Sequence, residues 1–583
     1  MIVKMKKLTV IVESKDIDST LGELGKAGLL HVEHENAPTS SSVQELEEKY
    51  RSIIRALELL PDVELKDPSN DIEGIVHKTI DLADREEVLI ENLRKLEKTM
   101  EDYKYWGDFE PETIYSLGEQ GISVKLYSIQ KKDLKKIPKD IIVETIFKKG
   151  NVLYIAVISQ KEIDLPFNKI TLPGKSLSEM KLEDKGIREK IDSIKKELID
   201  IAGHKKDILS YKEKIGSILE YQKIHAGRGI FENLTYVKGY SPVDTLKDFE
   251  KLSQENRWGL LIEDPKDDDP VPTLIKNPRW IEIIRPLFNV INTIPGYKEV
   301  DISMWFLLFF SIFFGILIGD AGYGVIFFIV NLFCHIKFGK KIKDKAIFHL
   351  IYVLSIAAIL WGVFTGTFFG QAYLNGIVEP LFPALRDNKT VQAMCFLIGG
   401  IHLTIAHLWK FIRKAPSLKA LSEVGWILII WSAYFIAKAF ILDEAFPGFG
   451  KWLVISGAGL IVLFTDPRKN IFKGIGSGVG SFLMNVINSF TDVVSYIRLF
   501  AVGAATVAVA DAFNQMSLGI GFNSVVSGFL TAFILLFGHT LNIILGAMAI
   551  LVHGVRLNVL EFSSHLDMEW SGVEYRPFKK EGV

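Results

Sequence analysis

An arginine stands at position 498 inside the apolar run "SYIRLFAVGAATVAVA", which extends from Ser495 to Ala510. Its guanidinium does not lose its charge in a protein. At the centre of a bilayer that charge costs from about 3 to more than 10 kcal/mol unless water or a counter-charge meets it. The polar residues around it share a face: wound at 3.6 residues per turn, Asn488, Thr491, Asp492, Ser495, Arg498 and Thr506 fall within a sector of about 120°. A second long apolar segment repeats the pattern, with His539, Asn542, Gly546, Ala549, His553 and Arg556 at steps of three and four. Polar residues in bundles also bond neighbouring helices, for about 0.6 kcal/mol on average. For the asparagines, threonines and histidines taken singly, that structural role is an equal alternative.

Acids in the apolar part of the chain are few: Asp320 at a turn, Glu423 near a helix end, Asp492, Asp511 and Glu561. Asp492 is about 9 Å along the axis from Arg498 and about 120° round it, a poor direct partner. The counter-charge is therefore expected on another chain. An arginine that meets a passing carboxylate in a dry site favours its ionised form and expels its proton or ion. Such chemistry translocates ions.

Residues of this kind need a membrane around them, and the charge pattern supplies one. Charges are dense before about residue 300 and sparse after it, and from Ile302 onward the sequence is a series of apolar stretches long enough to cross a hydrocarbon core as helix. "WFLLFFSIFFGILIGDAGYGVIFFIVNLFCHI" is too long for one span and turns at "GDAGYG", so it is expected to form two helices. With further spans at roughly 346–374, 391–413, 418–442, 449–466, 478–517 and 522–562, the total is about eight. If the basic loop "KFGKKIKDK" is cytoplasmic, "KFIRKAPSLK" and "DPRKNIFKG" fall on the same side, while "DEAFPGFG" and "SLGIGFN" lie outside without lysine or arginine. Both termini are then expected in the cytoplasm, in agreement with an opening apolar run too short for a signal peptide. The last two spans, at about 40 residues and about 60 Å, must tilt strongly or protrude. "GIGSGVG", from Gly474, leads into the first of them, with spacing that suits helix packing.

The first 300 residues are expected to be cytosolic and α+β. Ile187, Ile191, Ile194, Leu198, Ile201, Ile208, Ile215 and Ile218 mark a heptad seam that Lys205 and Lys212 interrupt. A matching apolar pattern near Ile90, Leu93, Leu96, Met100 and Tyr103 predicts an antiparallel coiled-coil stalk of about 43–108 and 184–225. Two small α/β lobes complete the unit: one of about 112–182, built on the strands "ISVKLYSI", "IIVETIF" and "NVLYIAVIS", the other of about 1–40 plus 226–265. Residues 301–583 form the all-α polytopic membrane domain. "LPGKSLS" ends like a phosphate loop, but Lys169 occupies the place of the leading glycine, so no nucleotide site is expected. Cys334 and Cys395 lack metal-ligand spacing, and no metal or cofactor is expected. A net charge of −2 and the lack of a basic stripe speak against nucleic acid as a partner.

Over its whole length the chain resembles subunit a, called subunit I in archaea, of the A-type and V-type rotary ATPases. "SYIRLF" resembles that family's Ser-Tyr-Leu-Arg-Leu-Trp motif, "GDAGYG" its Gly-Asp-x-Gly-His-Gly turn, and "LVHGVRLNVLEF" its last-helix His-x-x-Arg-Leu-x-x-x-Glu-Phe, which brings in His553, Arg556 and Glu561. "VPTLIKNPRWIEIIRPLF" and "EYRPF" also look like family signatures. The resemblance implies a multi-pass stator protein of the cell membrane that catalyses nothing itself. Arg498, with Arg556, His553 and Glu561, would serve ion translocation against a proteolipid c/K ring. Asp492, Ser495, Asn488, His539, Asn542, Asp320 and Glu423 are half-channel candidates, with Asp492 toward the cytoplasm and His539 and Asn542 toward the outside. Implied partners are the E and G/H subunits of the peripheral stalks, the C/d subunit of the central stalk, the A and B subunits through the complex, and the lipid bilayer. The chain departs from the vacuolar pattern at Gly546, where a glutamate is usual, and at Thr506, where a histidine is usual. The ion, H⁺ or Na⁺, is left open. Two rivals stand beside this reading: a secondary transporter, against which the lack of a repeat counts, and a membrane-anchored scaffold with a structural arginine.

Overall fold

The computed structural model of the chain describes residues 1–63, 71–138, 141–160, 164–342, 344–370, 380–466 and 471–579. Two compact units result, one of residues 9–239, 252–261 and 577–583, the other of residues 1–8, 240–251 and 262–576. In chain order the mixed α/β part contains β1 (Met5–Glu13), α1 (Ile17–Ala27), β2 (His31–Glu33), α2 (Ser41–Leu59), α3 (Ile72–Tyr103), α4 (Pro111–Glu119), β3 (Ser123–Gln130), β4 (Ile142–Lys149), β5 (Val152–Ser159) and β6 (Asn168–Ile170). It continues with α5 (Leu177–Ala202), α6 (Lys205–Gly227), β7 (Gly229–Phe231), β8 (Leu234–Pro242), α7 (Leu246–Asn256) and β9 (Gly259–Glu263).

Helices α2, α3, α5 and α6 pack around Ile53, Ala56, Val76, Leu82, Ile194, Leu198, Ile201, Ile208 and Ile215. Ion pairs Lys78–Glu197, Glu86–Lys195 and Glu97–Arg188 step in opposite directions along α3 and α5, so these two helices run antiparallel. Expected as continuous, the heptad seam breaks at Gly203 and His204, between α5 and α6. Lys205, one of the two lysines on that seam, bends its ammonium to the carbonyl of Leu60 (3.1 Å) at the end of α2 and to Asp62 (2.6 Å). A lysine on an apolar seam thus becomes a C-terminal cap for the neighbouring helix, burying its stem and keeping its charge paired.

Three of the strands in the four-stranded sheet β4-β5-β3-β6 are those expected, and β6 is an addition. β3 and β5 pair antiparallel from Ser123↔Ser159 to Gln130↔Val152, which buries Tyr127, Ile129, Leu153, Ile155 and Val157 on one face. The other sheet is five-stranded, with order β2-β8-β1-β9 and β7 beside β8. "LPGKSLS" opens α5: Ser176 Oγ accepts from the Glu179 N–H (3.3 Å) and Glu179 returns a carboxylate to the Ser176 N–H (3.0 Å), a capping box.

The helical part begins with short α8 (Arg279–Glu282) and α9 (Arg285–Ile291), followed by α10 (Ser303–Ile318), α11 (Ala321–Phe338), α12 (Ala346–Thr365), α13 (Asn388–Lys414), α14 (Ala420–Ile441), α15 (Gly450–Phe464), α16 (Ile471–Ser495), α17 (Ile497–Ile520) and α18 (Val525–Ala549). π-helical turns at Ile550–Gly554 and Leu557–Phe562 extend α18. Among the described residues six segments are long and apolar enough to cross a membrane: α11 to α14, Phe482–Ile520 and Val525–Phe562. α10 and α15 are apolar but shorter, so the expected count of eight depends on them. α10 is apolar all round because it is surrounded: Phe306, Phe310, Phe313, Phe314 and Leu317 belong to the core that joins it to α12, α13, α17 and the end of α18.

Three boundaries differ from expectation. α12 stops at Thr365, where Gly366 takes φ 72° and caps onto the carbonyl of Gly362; the expected continuation to 374 includes residues 371–374, outside the described residues. "GIGSGVG" lies inside α16. A Cβ at Gly476 or Gly480 would meet nothing within 4 Å, so among the described residues nothing packs on those two glycines. The expected single helix 478–517 breaks at Tyr496. The two family-like signature stretches meet: Thr273 N–H donates to Val573 (2.7 Å) and Tyr575 N–H to Thr273 (3.0 Å).

Ile53 and Ile208 are both fully buried in the stalk core. Truncating either to alanine is expected to destabilise the stalk by about 2–5 kcal/mol, the range for large-to-small core changes. Amide hydrogen exchange should then quicken through α2 and α6 and leave α13 to α18 unchanged.

Candidate functional site

The break at Tyr496 aims Arg498. Tyr496 N–H bonds the carbonyl of Val493 (3.3 Å) and Leu499 N–H that of Tyr496 (3.1 Å), a tightened turn at the junction of α16 and α17. The Tyr496 ring is wholly buried and lies where Gly399 of α13 leaves room; a Cβ there would approach the ring to 2.6 Å. Its hydroxyl bonds His402 Nδ1 at 2.8 Å. His402 in turn is stacked between Phe309 (3.8 Å between ring centres) and Phe562 (4.1 Å), so one imidazole clamps α10, α13, the kink and the end of α18. Gly503 lets α17 touch α10, since a Cβ there would come within 2.4 Å of the carbonyl of Ile316.

Arg498 donates through Nε to the carbonyl of Ser495 (3.0 Å) and through Nη2 to Glu561 Oε1 in a close ion pair. Glu561 is 4% exposed, and Arg556 Nε reaches the same oxygen at 3.5 Å. The counter-charge is thus intramolecular, not on another chain as expected. One carboxylate between two guanidiniums leaves one positive charge unbalanced, and Arg556 lies exposed on the surface of the helix. The second oxygen of Glu561, His553 Nδ1 and Asn558 Oδ1 have no hydrogen-bond partner among the described residues. These three residues lie in the π-helical turns or between them, where the backbone widens. Ser495 contributes its carbonyl to the site.

On one side of the pair a chain of polar groups runs through four elements. Asp492 of α16 bonds His565 Nε2 (3.0 Å), His565 Nδ1 bonds His407 Nε2 of α13 (2.8 Å), and His407 Nδ1 bonds Glu423 of α14 (2.7 Å). Lys414 and Lys410 pair with Glu423, and Lys410 also with Asp567 (2.6 Å). Asp492, Asn488, Glu423 and both histidines line a cavity of about 270 Å³. Two neutral imidazoles carry two N–H protons between them, and the three contacts from carboxylate to carboxylate need three. With both imidazoles neutral the chain is one proton short of filling all three contacts, so it has room to accept one more. Its chemistry suits uptake of a proton at one end and release at the other.

On the other side, Asp320 caps α11, accepting from the N–H of Tyr323 (3.0 Å) and of Gly370 (2.7 Å) while fully buried. The Tyr323 hydroxyl meets His539 Nδ1 (2.7 Å) and the amide of Asn542 (3.1 Å), which also donates to the carbonyl of Thr506 (2.8 Å). His539 Nε2 continues to Asn514 (3.1 Å). A cavity of about 600 Å³ opens between α10, α12, α13 and α17, with Asp511 and Arg386 in its wall. The expected site residues accordingly divide into three groups: Asp492, Asn488 and Glu423; Arg498, Ser495, Glu561 and Arg556, with His553 close by in sequence; and Asp320, His539 and Asn542. Sequence reasoning missed His407, His565, Tyr323 and Asn514. His407 was open to detection as an ionisable residue within an apolar span. His565 was not, because it follows the last span.

No family model matches the chain. It is 31% identical to the V-type ATP synthase subunit I of Borreliella burgdorferi and 28% identical to subunit I 1 of Treponema pallidum, in both cases over the whole of both chains. The A-type ATP synthase subunit I of Methanocaldococcus jannaschii is 26% identical over 70% of this chain and 64% of its own length. A crystal structure of the cytoplasmic N-terminal domain of subunit I, homolog of subunit a, of V-ATPase is 15% identical, covering 44% of this chain and 99% of that one, with a TM-score of 0.23, too low to assign a fold.

The ion pair generates a prediction. In a double-mutant cycle, Arg498→Gln and Glu561→Gln should each destabilise the helical part, and the double variant should cost less than their sum. A coupling of about 1–3 kcal/mol, as for contacting residues, is expected; independent effects in thermal unfolding would mean that the two side chains do not pair.

Proposed function

The chain belongs to the subunit I family of V-type and A-type ATP synthases, and from that premise we propose that it is the membrane stator that carries ions past a proteolipid ring and couples their passage to ATP synthesis or hydrolysis. The observation that carries this reading is Arg498 held beside Glu561 between two separate polar clusters. A ring carboxylate arriving at the unbalanced positive charge would be ionised there. It would gain its ion from one cluster and lose it to the other, while Arg498 blocks direct passage. A transmembrane voltage supplies about 2.3 kcal/mol per charge per 100 mV for such a cycle.

In this reading the Asp492–His565–His407–Glu423 chain is the cytoplasmic half-channel, and Asp320, Tyr323, His539 and Asn542 belong to the outer one. A relay through two imidazoles suits H⁺ rather than Na⁺. All eight apolar segments, with α16 and α17 counted as one, cross the membrane, α10 and α15 at the cost of local thinning or burial among neighbours, and both termini with the stalk are cytoplasmic. The mixed α/β part attaches to the E and G/H subunits of the peripheral stalks and to the C/d subunit of the central stalk. Nucleotide chemistry belongs to the A and B subunits.

Two variants test the half-channels separately. In vesicles containing the assembled complex, Asp492→Asn and His539→Ala are each expected to lower ATP-coupled ion flux at least tenfold while the complex still co-purifies with its ring and nucleotide-binding subunits. Full flux in both variants, or flux from this chain alone without a ring, would overturn the reading, the latter in favour of a transporter.

A further inference from the structure

A further hollow in the helical part lies away from the polar clusters. It is a groove of about 1200 Å³ between α8, the first half of α10 and the first half of α12, larger than the about 300–1,000 Å³ of ordinary small-molecule sites. Its two ends differ. Along α10 and α12 it is lined by Leu307, Leu308, Ile283 and Val353, of which Leu308 and Val353 are exposed, whereas Arg279, Arg285, Lys345 and the indoles of Trp280 and Trp305 stand at its mouth, near α8 and the starts of α10 and α12. α10 and α12 are parallel, so both present their N-termini, with partial positive charge, to the same mouth.

The mouth has a fixed shape. Arg285 bridges Glu282 (2.8 Å) and Asp344 (2.8 Å), tying the start of α12 to α8. That bridge leaves one negative charge over, which Arg279 and Lys345 outweigh, so the mouth as a whole carries one net positive charge. Arg279 and Lys345 are exposed and have no ion-pair partner among the described residues. Two exposed, unpaired cations at one end and an apolar wall about 8 residues or about 12 Å long along α10 match a molecule with an anionic head and hydrocarbon tails.

We propose that this groove holds an anionic phospholipid of the leaflet on the side of the basic 337–345 loop, its phosphate between Arg279 and Lys345 and its acyl chains along α10 and α12. Indoles gather at this depth of a bilayer, and basic pockets between spanning helices recognise anionic head groups. The attraction belongs to the groove: Lys340 and Lys341 add to the surrounding positive field from the loop but do not line it.

The test places the full-length chain in nanodiscs of phosphatidylcholine with a minor fraction of phosphatidylglycerol, strips loosely held lipid with mild detergent, and weighs what is retained by mass spectrometry. Retained lipid should be enriched in phosphatidylglycerol, and the enrichment should fall about fivefold for each charge lost in Arg279→Gln and Lys345→Gln. Lys340→Gln with Lys341→Gln should keep most of it, and Leu308→Trp, which fills the groove, should abolish it. No enrichment in the wild type, equal loss from the loop pair, or undiminished retention in Leu308→Trp would each overturn the proposal.

Discussion

A guanidinium that keeps its proton in an apolar span sets the terms for the rest of the helical part. Arg498 is stable there because Glu561, 63 residues later, meets it from the end of α18. Breaking a buried pair leaves an uncompensated charge and costs more than the pair contributes, so the elements around it are held firmly. The kink at Tyr496, the clamp of His402 between Phe309 and Phe562, and the missing Cβ atoms at Gly399 and Gly503 all fix the same junction. The second half of α10, from Phe313 to Ile318, is buried throughout because it is the post against which that junction is built.

The antiparallel course of the last two long segments explains why the polar residues fall into three groups. Asp492 lies opposite His565, Arg498 opposite Glu561, and Thr506 and Asn514 opposite Asn542 and His539. Each pair is a rung, and the middle rung is charged. Thr506 and Gly546, the two departures from the vacuolar pattern, adjoin the Asn542 rung: Thr506 offers its carbonyl to Asn542, and a Cβ at Gly546 would meet only the end of Ile318. The amide has taken over a polar role there through backbone rather than side-chain contact.

Much of this was legible in the sequence, because burial in lipid and the heptad repeat both write themselves as periodic apolar residues. The strands β3, β4 and β5, the turn at Asp320 and the two polar faces were all visible. Partners across the chain were not. Nothing local to Arg498 points to Glu561, since their meeting depends on the register of two helices, and the acid nearest in sequence, Asp492, is turned away to His565. The break at Tyr496 was hidden because the apolar pattern continues through it, whereas the one at Gly203 and His204 was marked only by Lys205 on the seam. His407 stood out only as an ionisable residue in an apolar span, and its partner His565, beyond the last span, gave no signal until folding set them 2.8 Å apart.

The central claim is that Arg498 is the barrier between two ion paths. It is tested most directly by ATP-coupled ion flux, together with passive leak, in vesicles whose assembled complex carries Arg498→Ala. The account predicts that coupled flux disappears while ATP hydrolysis sites and assembly remain. Undiminished coupled flux would contradict it and leave the arginine a structural residue.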